Sequence, residues 1–125
     1  MAARTPEDVD RLFVDALNAG KLEDLVALYE PQAALMPSPG KLANGTAAIR
    51  ESLKQFIAAK PKMTLQPRLI AQTGDLAIIG SKWDLSMTGT DGKPAQMKGE
   101  SVEVVRRQSD GRWLFAIDLP FGPNA

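Results

Sequence analysis

Residues 100–119 read ESVEVVRRQSDGRWLFAIDL, two runs rich in β-branched and aromatic residues on either side of Ser109-Asp110-Gly111-Arg112. Such runs favour extended chain, and an Asp-Gly pair between them favours a two-residue type I′ hairpin. With that turn Ser109 pairs with Arg112, Arg107 with Leu114, Val105 with Ala116, and Glu103 with Asp118. Two carboxylates then stand opposite each other on one face. In a partly dry setting a like-charged pair raises one of its pKa values, which supplies an acid and a base. A shift of the register by one residue separates them. The competing reading ties each carboxylate to an arginine such as Arg106 or Arg68, or leaves it in water.

Working outward, the period of two extends back to Met63. Met63, Leu65, Leu69 and Ala71 alternate with Thr64, Gln66, Arg68 and Gln72, and Leu76–Thr88, Ala95–Arg107 and Arg112–Leu119 supply three more extended runs. Thr73-Gly74-Asp75 and Thr90-Asp91-Gly92-Lys93 mark the other turns. The two Asp-Gly pairs read as turn chemistry, with no metal site implied. Before Met63 the period is helical. Thr5 caps, Pro6 suits the first helical position, Val9, Leu12, Phe13, Ala16 and Leu17 form one stripe, and Gly20 closes the helix. A second helix is expected over Leu22–Tyr29, stopped by Pro31, and a third after Thr46 as cap, with Ile49, Leu53, Phe56 and Ile57 on one face. A short strand is expected around 33–36. The order predicts an α+β domain in which helices cover one face of a curved sheet. The last strands are apolar on both faces, so the second face is expected to meet a partner subunit.

The chain has 125 residues, enough for one domain over 1–125. Fifteen basic and fifteen acidic residues cancel, which argues against nucleic-acid and membrane-surface partners. There is no cysteine and no histidine, which excludes disulfides, thiol catalysis, Ser-His arrangements and the commonest metal ligands. Acid–base work therefore falls to carboxylates, the one tyrosine, or a lysine. The opening MAARTPEDVD lacks a signal-like apolar run, so a cytoplasmic protein is expected.

LNAGKLEDLVALY (17–29), NGTAAIRESL (44–53) and ESVEVVRRQSDGRW (100–113) together resemble the ketosteroid isomerase-like and SnoaL-like domains of the nuclear-transport-factor-2-like superfamily. The resemblance implies a cone-shaped, mainly antiparallel sheet of mixed edge, with three N-terminal helices over its concave face. It also implies an apolar pocket, no cofactor, and a homodimer through the outer sheet face. The isomerases of that group use a carboxylate base facing a tyrosine and a protonated acid. The tyrosine position falls here on Phe13 and the base position, within AALMPSPG (33–40), on Met36 or Pro37. Neither site holds a proton-transfer group. The acid position falls on Glu103.

Glu103 and Asp118 are thus the candidate catalytic pair, with Phe13, Tyr29, Met36, Trp83, Ser101 and Val105 as candidate pocket-lining residues. Asp84 has the opposite pleat from Trp83. Tyr29 is expected on the apolar stripe of the second helix with its hydroxyl at the edge, and Met36, Met63, Met87 and Met97 as deformable lining or core filler. Three functions follow: a domain that binds a small apolar ligand and lacks the isomerase base and tyrosine; a cofactor-independent isomerase- or cyclase-type enzyme using Glu103 and Asp118; or a dimerisation domain.

Overall fold

The computed structural model describes residues 2–89 and 91–122, so the turn expected at Thr90–Lys93 lies partly outside the described residues. Helix α1 (Pro6–Asn18) begins as its sequence demands. Thr5 is extended, its N–H donates to the Asp8 carboxylate at 3.2 Å, and Pro6 needs no partner in the first turn. Helix α2 (Leu22–Val26) is shorter than its apolar pattern suggests. The chain is captured by the sheet instead, because the Leu28 carbonyl accepts the Phe115 N–H at 2.8 Å, and Tyr29 becomes the first residue of β1 (Tyr29–Ser38). A tertiary bond thus overrides helical propensity. Strand β2 (Lys41–Asn44) follows, then α3 (Gly45–Ala58). Gly45 takes φ +83°, a left-handed value that suits glycine, and this leaves Asn44 rather than Thr46 as the residue before the helix.

Strands β3 (Lys62–Thr73), β4 (Leu76–Thr88), β5 (Pro94–Arg107) and β6 (Trp113–Leu119) complete one six-stranded sheet in the order β2-β1-β6-β5-β4-β3. All neighbours are antiparallel except β1 with β6, which are parallel. The helices lie on its concave side, giving the α+β cone. No helix among the described residues is long and apolar enough to cross a membrane.

The hairpin that opened the sequence reading differs in one respect that matters. Gln108 N–H donates to the Arg112 carbonyl at 2.7 Å and Gly111 takes φ +88°, so the loop has three residues rather than two. Arg107 consequently pairs with Trp113, Arg106 with Leu114 and Val105 with Phe115, each one residue away from the expected register. Ala116 is then an extra residue on β6. Beyond it Val104 pairs with Ile117 and Glu103 with Asp118. Turn and bulge cancel, so the carboxylate pairing stands although the route to it differs.

The bulge puts Phe115 and Asp118, three apart, on the same concave side. Phe115 fills the core beneath α1, its ring 6.1 Å from Phe13 edge-on and 4.8 Å from Tyr29, with Val9, Leu17, Leu25 and Ile49 fully buried around it. Truncating so buried a ring leaves a cavity that this close-packed layer cannot collapse. Phe115→Ala is expected to lower the unfolding free energy by about 3–5 kcal/mol, read from urea denaturation.

Candidate functional site

Between α1, α3 and the concave sheet lies a cavity of about 690 Å³. Its walls are apolar, with Phe13 from α1, Leu53 and Phe56 from α3, Trp83 and Leu85 from β4, and Phe121 past β6 among them. Its polar side chains are Asp10, Tyr29, Ser101, Glu103 and Asp118 in the interior, half-buried Ser38 and Ser52, and exposed Lys41, Glu51 and Gln55 on β2 and α3. Met36 and Val105, expected in the lining, are not part of it. Met36 has the opposite pleat from Leu35, which does line the cavity, and Val105 is sealed in the core under α1.

The interior acids are deeply buried: Glu103 is 2 % exposed, Asp10 3 % and Asp118 6 %. Tyr29 donates its hydroxyl to Asp118 Oδ2 at 2.5 Å, and Ser81 donates to Asp10 Oδ2 at 2.5 Å. The Tyr29 hydroxyl is therefore not at an edge, as its expected helical position suggested. It points into the cavity floor because the residue begins β1 beside Phe115. Neither oxygen of Glu103 receives a hydrogen bond from any donor among the described residues. Its neighbours there, Asp10 and Asp118, are themselves acceptors, so Glu103 bonds to either only through a proton of its own. Of the arginines expected as partners, Arg106 is engaged elsewhere, its Nε meeting Glu30 at 3.1 Å on the outer side, and Arg68 on β3 bonds to none of the three acids among the described residues.

These contacts set the titration of the cluster. Loss of water pushes the Glu103 carboxyl well up, and the charges of Asp10 and Asp118 push it further. Burial raises Asp118 to about 7, opposed by the hydrogen bond from Tyr29 and assisted by the Asp10 charge. Burial likewise raises Asp10, offset by its contacts with Glu103 and Ser81 and by Arg11. Two unit charges ~5 Å apart at an effective dielectric constant of ~20 repel by roughly 3 kcal/mol, so the cluster keeps at least one proton at neutral pH. Glu103 is the holder, because burial and both neighbouring charges push its carboxyl up and the Ser101 hydroxyl opposes this only in part. Asp118, half ionised near neutrality, has the pKa of a good general base.

Asp10 was absent from the sequence reading. Its signal was present: Asp10, Phe13 and Leu17 lie at i, i+3 and i+7, on the inward side of α1. A carboxylate on an apolar stripe needs an interior partner, and Ser81 is that partner.

Trp83 shapes the wall nearest the C-terminal segment. Its Nε1 donates to the Pro120 carbonyl at 2.8 Å and its ring meets Phe121 edge-on at 5.9 Å. The indole lies flat over Gly99, where an added Cβ falls 2.6 Å from Cζ2.

A family model described as the SnoaL-like domain matches residues 9–115. Solved structures share the fold. A ketosteroid isomerase-like protein from Erwinia carotovora atroseptica is 19% identical, with TM-score 0.79 over 90% of this chain and 88% of that one. A nuclear transport factor 2-like superfamily protein from Salmonella enterica is 14% identical, with TM-score 0.79 over 90% and 84%. A candidate calcium/calmodulin-dependent protein kinase type II association domain from Thiobacillus denitrificans is 23% identical, with TM-score 0.75 over 95% of each chain. No curated protein matches the sequence.

Three outcomes test the site. The folded chain binds a proton at Asp118 that the unfolded chain, with a pKa of 3.8, has lost. Its contribution to stability is therefore full below 3.8 and falls as pH rises towards about 7. Asp118→Asn should reduce the slope of stability against pH in urea denaturation across the window, leaving the part due to Asp10 and Glu103. Glu103→Gln supplies donors facing Asp10 and Asp118, and is expected to stabilise the fold by about 1–3 kcal/mol. Gly99→Ala should displace the indole and shift the Trp83 N–H resonance; an unmoved resonance would contradict the close packing described.

Proposed function

We propose, from the premise that the chain belongs to the SnoaL-like domain family, that the cavity binds a small, largely apolar molecule and transfers a proton on it without a cofactor. The observation that carries this reading is the cluster of Asp10, Glu103 and Asp118 buried at the floor of an apolar cavity, with Asp118 near neutrality and both Glu103 oxygens unpartnered. Asp118 is the base. Tyr29 occupies only its Oδ2 and holds the carboxylate in place, much as an orienting group serves a catalytic base. Glu103, directly across the β5–β6 ladder, is the acid of the pair. Breaking a C–H bond beside an unsaturated group sends the proton to Asp118 and the electron pair into the ligand's π system. Return of a proton at another carbon completes an isomerisation. The positions that resemblance assigns to the isomerase tyrosine and base remain Phe13 and Met36 or Pro37, so this is a different constellation in the same kind of cavity.

A second copy of the chain is proposed as cover for the outer sheet face. Ile78, Val104 and Ile117 form a cross-strand row there, with Ile78 38% and Ile117 41% exposed. A contiguous apolar row on a sheet marks an association surface. The family and its association-domain neighbour are consistent with such pairing.

The test of catalysis is hydrogen–deuterium exchange at carbon in a panel of small aromatic ketones and cyclic imines, followed by NMR in deuterium oxide. The wild type should accelerate exchange for some members, with a rate that rises as Asp118 ionises near 7. Asp118→Asn should reduce it by roughly 10²–10⁴-fold. No exchange above buffer, or an unaffected Asn variant, would remove the catalytic reading. For the interface, Val104→Lys is expected to give a monomer by sedimentation where the wild type is a dimer.

A further inference from the structure

The walls and floor of the cavity carry opposite instructions. The interior acids Asp10, Glu103 and Asp118 come from α1, β5 and β6, yet no arginine or lysine bonds to them among the described residues; Arg11, whose charge is felt by Asp10, is exposed and paired with Asp8, and the basic residue in the lining, Lys41, is exposed on β2. Arg106, Arg107 and Arg50 are paired with Glu30, Asp75 and Glu23 on the surface. Buried carboxylates in native proteins are paired or hydrogen-bonded, and here the compensation inside the protein is two hydroxyls, on Tyr29 and Ser81. The Ser101 hydroxyl, two residues along β5, eases the Glu103 charge but bonds neither of its oxygens. Those two oxygens, on a side chain 2 % exposed that lines the cavity, accept no hydrogen bond among the described residues.

We propose that the missing donor is a cationic nitrogen, and that the ligand is a small aromatic compound with a basic nitrogen, bound as its cation against Glu103 and Asp10. The inference rests on the cavity being the ligand site and narrows the kind of molecule on which Asp118 acts.

Three physical comparisons favour this class. A neutral hydroxyl offers one donor and leaves the floor's negative charge as it was. A primary ammonium offers three donors and neutralises one charge, which matters most where water is excluded. An anion meets repulsion from the ionised carboxylates of Asp10 and Asp118. The rings of Phe13, Phe115 and Trp83 suit the same ligand, since aromatic faces attract a nearby cation and bury its apolar remainder. A ketone that enolises is less well served, because negative charge would grow on its oxygen beside carboxylates. The Tyr29 hydroxyl is already given to Asp118 and is not free to stabilise that oxygen.

Proton balance gives the inference a signature. Glu103 holds a proton in the empty cavity and meets the cation as a carboxylate, so the incoming R–NH₃⁺ takes the place of H⁺ and a proton leaves to the solvent. The groups lining the cavity that share this equilibrium are Asp10 on α1, Tyr29 on β1, Lys41 on β2, Glu51 on α3, Glu103 on β5 and Asp118 on β6. Lys41 and Glu51 are exposed and of opposite sign, so the interior acids dominate.

The experiment is calorimetric titration of the full chain with two matched series, phenethylamine with phenethyl alcohol and phenylacetate, and naphthylmethylamine with naphthalenemethanol and naphthoate. Repeating it in buffers of different ionisation enthalpy counts released protons. In at least one series the amine should bind roughly tenfold or more tighter than its alcohol, a gap of about 1.4 kcal/mol, with no detectable binding of the carboxylate and with net proton release. Glu103→Gln, which keeps shape and is expected to fold, should cut the preference of amine over alcohol and abolish most of the release. Equal or better binding of the alcohols or carboxylates, amine binding with no proton release, or amine preference unchanged in Glu103→Gln would overturn the proposal. So would failure of both amines to bind into the millimolar range. Carbon exchange on ketones without amine preference would overturn this inference and leave proton transfer standing. Amine binding without any exchange would do the reverse.

Discussion

The pairing of β5 with β6 is the constraint on which the molecule rests. A regular strand cannot present residues three apart to one side, yet the concave layer needs both the Phe115 ring and the Asp118 carboxylate. The extra residue at Ala116 resolves this by resetting the pleat between them. One side of the reset is hydrophobic core, where Phe115 meets Phe13 and Tyr29. The other side is the polar floor, where Asp118 faces Glu103. Tyr29 belongs to both, its ring tilted against Phe115 and its hydroxyl on Asp118. The division of the interior into packing and chemistry is therefore made within four residues of one strand.

The cluster of buried acids costs stability and gives function its setting. Three carboxyls share a dry floor with two hydroxyl donors between them, and the group with no donor is the one with an acid on either side. A buried polar group left without a hydrogen bond calls for an explanation, and a role towards a ligand is one. The apolar walls serve both ends. They exclude the water that would stabilise the charges and they hold the part of a ligand that carries no charge. Trp83, fixed between Gly99 and Pro120, joins the final segment of the described chain to that wall.

Much of this was legible in the residues. The α1 boundaries follow from Thr5, Pro6 and Gly20, and the change of period at Met63 marks the entry into the sheet, because capping and pleating are local physics. Features that depend on distant partners were not legible. Tyr29 looked helical until the Phe115 N–H claimed the carbonyl before it. The Asp110-Gly111 pair has the composition of a two-residue turn and also of a three-residue one, since both need a left-handed glycine. The register of Glu103 was right only because the longer loop is undone by Ala116. Asp10 was readable as a charge on an apolar stripe, but its partner Ser81 lies 71 positions away.

The Tyr29–Asp118 contact also has a spectroscopic consequence. The chain contains one tyrosine, and burial together with the neighbouring Asp118 charge pushes its phenol well above the ordinary value. In most proteins the alkaline absorbance of phenolate sums over many rings at unrelated places. Here the same band comes from a single oxygen, bonded to Asp118 among the buried acids of the cavity. The ultraviolet spectrum of the unlabelled protein is thus a built-in reporter of the cavity floor.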